Sequence, residues 1–134
     1  MAYTLEGLAA VAFFQNKYDS ARSQLEESLA LFRDSGNKWG MAYDLFLLGQ
    51  LALDKGDTAK ARSLLEESLA INREIGDQRR IVSSLLQLAS ITTLQGDTSS
   101  AHSFYQESLS LARGLNHQGF INSALEGLAG LERE

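Results

Sequence analysis

Leucines and small residues return along this chain in interleaved patterns that share one long step. Leu5, Leu45, Leu85 and Leu125 stand 40 residues apart, and Leu8, Leu48, Leu88 and Leu128 follow them by three. A small residue comes next each time: Ala9, Gly49, Ala89 and Ala129. Ala21, Ala61 and Ala101 keep the same step. The run Leu25, Glu26, Glu27, Ser28, Leu29, Ala30 recurs as Leu65, Glu66, Glu67, Ser68, Leu69, Ala70, and in degraded form as Tyr105, Gln106, Glu107, Ser108, Leu109, Ser110. No gap is needed to align the units, so self-similarity sets the architecture. Within a unit, Leu45, Leu48, Gly49 and Ala52 fall on one face of a first helix, and Ala61, Leu64, Leu65, Ser68 and Leu69 on one face of a second. Gly56 stops the first helix, because glycine tolerates a left-handed end. Asp57 or Thr58 caps the second by accepting its free N–H groups, and Gly76 stands in the turn out of it. The pattern predicts an all-α chain of about seven helices, at 2–14, 18–34, 40–54, 58–74, 79–94, 98–113 and 118–132.

One hairpin cannot bury its apolar face alone, and stacking on its neighbours does so. Gly49 and Ala89 on one side, and Ala21, Ala61 and Ala101 on the other, let paired helices approach closely. The expected organisation is a single domain over 1–134, with units at 1–39, 40–79 and 80–118 and a final half unit at 119–134. Leu125 to Leu131 repeats the first helix of a unit, and the polar Glu132, Arg133 and Glu134 follow. Such an end suits a capping helix or an excerpt from a larger protein, and the excerpt is the expectation.

Leu45, Leu48, Gly49, Ala61, Leu65 and Ser68, with their equivalents one unit away, resemble the tetratricopeptide repeat over nearly the whole chain. Two departures stand out. The usual period of that family is about 34 residues, and its proline near the end of the second helix is missing, with Arg33, Arg73 and Arg113 near that place. Both resemble the longer-repeat subclass of kinesin light chains and of the sensor regions of bacterial LuxR-type and related signal-transduction ATPases. The resemblance implies an α-solenoid, a right-handed superhelical stack of antiparallel helix hairpins. It also implies a concave groove, lined by the first helices, that holds a protein or peptide. The groove positions are Tyr3, Glu6, Ala10, Phe13 and Phe14, then Tyr43, Phe46, Gln50, Leu53 and Asp54, then Ser83, Leu86, Ser90, Thr93 and Leu94. Phe13, Phe14 and Phe46 also read as core, since a one-residue error in phase turns a side chain by about 100°. Family members that grip a C-terminal carboxylate place cations along the first helices, and this surface offers Tyr43, Phe46, Gln50, Ser83 and Ser90 instead. Arg79 and Arg80 read as solvated charges beside Asp77 and Glu74.

Composition narrows the chemistry. The 134 residues are 44% hydrophobic and 22% charged, with a formal charge of −5 and no cysteine or proline. An acidic balance argues against nucleic acid, which needs clustered Lys and Arg. No apolar run suggests a membrane span. No basic cluster precedes the apolar residues at the start, so a cytoplasmic location is expected. The repeating Glu26–Glu27 and Glu66–Glu67 pairs read as a solvent face. His102 and His117 lack a second ligand at helical spacing, and phosphate loops and serine-nucleophile motifs are absent. No catalysis, cofactor or metal is expected. From Ile81 to Ala112 the only charges are Asp97 and Glu107. That charge-poor face lies near Leu125 and Leu128, which are candidates for self-association. Three readings follow: a protein-interaction module acting as scaffold or sensor of a larger bacterial regulator, a homodimerising spacer, and a small-ligand sensor.

Overall fold

The computed structural model describes the backbone of residues 2–133 and the side chains of residues 17–133. Six helices follow one another: α1 (Ala2–Ser35), α2 (Lys38–Asp54), α3 (Thr58–Ile75), α4 (Gln78–Leu94), α5 (Thr98–Gly114) and α6 (Gln118–Arg133). Each packs on the next, and α4 also reaches α6. The result is an α-solenoid in which α2–α3 and α4–α5 are successive hairpins.

A turn device recurs at half the repeat length. Gly36, Gly56, Gly76 and Gly96 all have φ between 72° and 83°, where a side chain would be strained. Each is followed by a cap. Asn37, Asp57, Asp77 and Asp97 accept hydrogen bonds from the backbone N–H groups of Gly40, Lys60, Arg80 and Ser100, satisfying donors that a helix start leaves free. In the fifth turn Asn116 takes the left-handed position and His117 Nδ1 accepts from the N–H of Phe120. One step before the first of these turns, residues 16 and 17 are Asn and Lys. A lysine side chain has no acceptor to offer a helix start. No turn forms there, and the segments expected at 2–14 and 18–34 are one continuous helix.

The core is built from the repeating stripe. Ala52, Ala61, Leu65, Leu69, Ile81, Leu85, Leu88 and Ile91 form one cluster joining α2, α3 and α4, with Phe104 and Leu111 of α5 against it. Ala42, Leu45 and Ile71 form a second, against which Leu29 of α1 packs. The Tyr18 hydroxyl donates to the Leu51 carbonyl and ties α1 to α2. Ion pairs join second helices of successive units: Arg33 to Glu67 at 2.7 Å and Arg73 to Glu107 at 2.6 Å, both at the arginines that stand near the missing proline.

Candidate partner-binding cleft

Between α2 and α4, above α3, lies a cleft of roughly 170 Å³. Helix α2 contributes Ala42, Tyr43 and Phe46, α4 contributes Arg80, Ser83 and Ser84, and α3 contributes Asn72. Residues 43 and 46 are three apart, hence on one helix face, and Arg80, Ser83 and Ser84 occupy the facing stripe of α4.

Two buried polar groups line it. Asn72 and Ser84 are 3% and 1% exposed, yet Asn72 Oδ1 and Ser84 Oγ have no hydrogen-bond partner. Other buried hydroxyls are satisfied: Ser68 Oγ donates to the Ala42 carbonyl at 2.8 Å, and Thr92 Oγ1 to that of Leu88 at 2.8 Å. An unsatisfied buried polar group costs about 1–3 kcal/mol, and both atoms lie beneath the solvent-reached surface of the cleft. Asp44, one unit before Ser84, is also buried with an unpartnered Oδ2.

The mouth has a different character. The Arg80 guanidinium lies 5.3 Å from the Trp39 ring centroid and 5.6 Å from that of Tyr43, with Nε 3.4 Å from Asp77 Oδ2. A cation over two ring faces is held electrostatically. Trp39 and Tyr43 are each about half exposed, at 51% and 52%. The cleft thus has aromatic and cationic groups at its mouth, an aromatic wall in Phe46, and uncharged hydrogen-bonding groups in its buried part. It suits a side chain with an apolar body and a polar tip.

Of the expected groove residues, the structure brings Tyr43, Phe46 and Ser83 together here. Gln50, Leu86 and Thr93 are half-buried, Asp54, Ser90 and Leu94 are exposed, and Leu53 packs against the core cluster, as Phe46 does; of these only Phe46 lines the cleft. Tyr3, Glu6, Ala10, Phe13 and Phe14 lie outside the residues whose side chains are described. Leu125, exposed, and Leu128, half-buried, stand on α6 at the far end of the array. Arg80 keeps the expected Asp77 but is a lining residue of the cleft, while Glu74 pairs with Lys38 at 2.9 Å. Sequence reasoning missed Trp39, Asn72 and Ser84. For Asn72 and Ser84 the signal was present in the alignment of units: Asn72 stands where Phe32 and Ala112 stand, and Ser84 where Asp44 and Ala124 stand.

No metal-holding group of three or more His, Cys, Asp or Glu occurs among the described residues, and no helix among them is long and apolar enough to cross a membrane. No curated protein matches the chain. Among solved structures, that of BtubC (BKLC) from P. vanneervenii is similar in fold, with a TM-score of 0.69 and 23% identity over 89% of this chain. The chain spans about half that structure, 49%. The crystal structure of MamA aligns over 90% of each chain at 15% identity and a TM-score of 0.31. The sequence model of the family described as tetratricopeptide repeat matches residues 1–74 and again 40–114. With its stacked hairpins and its 40-residue self-similarity, the chain belongs to the tetratricopeptide repeat family.

Proposed function

We propose that the chain is a protein-interaction module that takes a segment of its partner on the face formed by α2 and α4, anchored in the cleft at Tyr43 and Phe46. Tetratricopeptide repeats generally mediate protein–protein contact, and they serve as scaffolds rather than as catalysts. The observation that carries the placement is the cleft itself, where the half-exposed Tyr43 ring and Phe46 stand across from Arg80 and Ser83. Buried aromatic anchors with a satisfied polar contact supply most of the affinity of a small interface. Gln50, Leu86 and Ser90 extend the contact along the same helices. In this reading the partner is a peptide or an extended protein segment, and the module is the scaffold or sensor part of a larger bacterial regulator in the cytoplasm.

Selection from a displayed random-peptide library tests the reading. Peptides enriched on the parent chain should lose binding to Tyr43→Ala, which removes an exposed ring, and to Ser83→Trp, which fills the cleft. Both variants are first shown to melt as the parent does. Peptides held equally well by both variants, or no enrichment, would overturn the assignment.

A further inference from the structure

The turn between α2 and α3 carries more positive charge than its counterpart one unit on. Lys55 stands where Gln95 does and Lys60 where Ser100 does, while Arg22 of α1 aligns with Arg62 of α3. At the junction of α3, α4 and α5 these positions satisfy one another. Arg62 Nη1 donates to Gln95 Oε1 at 3.0 Å and to Asp97 Oδ2 at 3.2 Å, and its Nε donates to Glu66 Oε1 at 2.9 Å. One arginine thus bridges two units. That junction has helices on both sides, yet Arg62 and Asp97 keep 29% and 36% of their side chains exposed. This edge of the array is therefore open to solvent in its interior, wherever the array begins or ends.

The junction of α1, α2 and α3 does not close in the same way. A lysine has no acceptor to offer, so Lys55 repels Arg22 where Gln95 receives Arg62. Arg22 stays along its own helix, 3.9 Å from both Asp19 and Glu26 and beyond hydrogen-bond distance of either. Lys55 Nζ lies 4.6 Å from the centroid of the Tyr18 ring, and the Tyr18 hydroxyl is committed to the Leu51 carbonyl. Neither Lys55 nor Lys60 has an ion-pair partner among the described residues. Between the three helices lies a cavity of about 140 Å³, with Leu48 and Leu64 in its wall and Arg22, Lys55 and Lys60 around it. One carboxylate lines it, that of Asp57, whose Oδ1 accepts from the backbone N–H of Lys60 at 3.1 Å.

We infer that this junction binds a phosphate group, either on a phosphorylated side chain or as the free ion, with Arg22, Lys55 and Lys60 holding its oxygens. Three lining cations against one lining carboxylate leave an excess of two positive charges. A phosphomonoester, at about −1.5 to −2 near neutral pH, matches that excess; a carboxylate supplies half of it. The phosphate oxygens replace the acceptor that Lys55 denies to Arg22, and they form charge-assisted bonds. Leu48 and Leu64 give the carbon stem of a phosphorylated side chain a surface to lie on. The cleft at Tyr43 takes no part.

Amide chemical shifts of the full chain, at about pH 7.5 and low salt, test this with three probes: inorganic phosphate, capped phosphoserine and capped glutamate. Both phosphates should saturate shifts confined to residues 18–22 and 51–64, and glutamate should bind about tenfold more weakly. Tighter binding of capped phosphoserine identifies a phosphorylated side chain as the ligand, and tighter binding of inorganic phosphate identifies the free ion. Lys55→Gln and Lys60→Ser, which install the residues of the next junction, should each weaken phosphate about tenfold and together abolish binding. Lys55→Arg should retain it, and Ser83→Trp in the cleft should leave it unchanged. Both lysines are exposed, so melting temperatures should stay at the parent value and separate lost binding from lost folding. No saturation with either phosphate, shifts centred elsewhere, glutamate bound as tightly as phosphoserine, or lysine variants that bind as the parent does would each overturn the inference.

Discussion

A Cβ on Gly40 would sit 2.5 Å from Cδ2 and Cε2 of the Phe32 ring and 2.6 Å from its Cγ. The same two positions hold Asn72 and Arg80 one unit on, and Ala112 and Phe120 in the unit after. Phe with Gly becomes Ala with Phe, so bulk changes sides between units. Gly40→Ala gains about 1 kcal/mol of helix propensity, but the overlap costs roughly 1–3 kcal/mol and involves the base of the ring as well as its edge. The expected outcome is net destabilisation that Phe32→Ala relieves. Urea unfolding of both singles and the double should show coupling between the two sites, and strictly additive effects would refute the packing argument. Asp97 shows the electrostatic side of the residue scale. Hydrogen bonds from Ser100, and then Arg62 with Nη1 at 3.2 Å, hold its carboxyl below the usual value. A folded-state pKa below the unfolded value of about 3.9 gives stability that is present above that value and is lost as pH falls through the folded one. The drop in melting temperature from pH 7 to pH 3 should therefore be smaller in Asp97→Asn, which keeps a capping oxygen without the titration; an equal drop would show that Asp97 does not contribute.

At the level of elements, α2 to α6 were legible in the sequence because their punctuation is local. Gly56 with Asp57 and Gly96 with Asp97 encode an end and a start within two residues, and the apolar stripe supplies the phase. What the 40-residue alignment could not show was which units lack the device, since Leu5 and Leu8 repeat faithfully while Lys17 replaces the capping aspartate. The cleft was legible only in part for a similar reason. Tyr43 and Phe46 follow from helix phase, but Asn72 belongs to a second helix, and its meeting with Ser84 depends on how neighbouring units stack. If Lys17 is what keeps α1 continuous, the double change Asn16→Gly, Lys17→Asp should create the missing turn. Spin labels at residues 4 and 30 would be separated by roughly 39 Å along a continuous helix, at 1.5 Å per residue. In a hairpin with helix axes about 10 Å apart they would approach to roughly 10–15 Å. A distance that stays long in the double variant would mean that α1 is held straight by something other than its missing cap.

For the whole molecule, the array makes positions that are equivalent in sequence unequal in energy. Leu85 is 0% exposed and belongs to the main cluster, whereas Leu125 is 44% exposed at the same place in its unit. Leu85→Ala should cost about 2–5 kcal/mol through lost burial and the cavity left behind; Leu125→Ala in dilute solution should cost less than about 1 kcal/mol. The gradient follows from nearest-neighbour stacking, in which an interior helix has an interface on each side and a terminal helix lacks one. Hydrogen exchange should show it without any mutation. Amides of α4, which carries Ile81, Leu85, Leu88 and Ile91 into the core, should open only with the whole fold, while those of α6, whose fully buried residue is Ala124, should open at lower free energy. Uniform protection along α2–α6 would contradict a stack held together unit by unit.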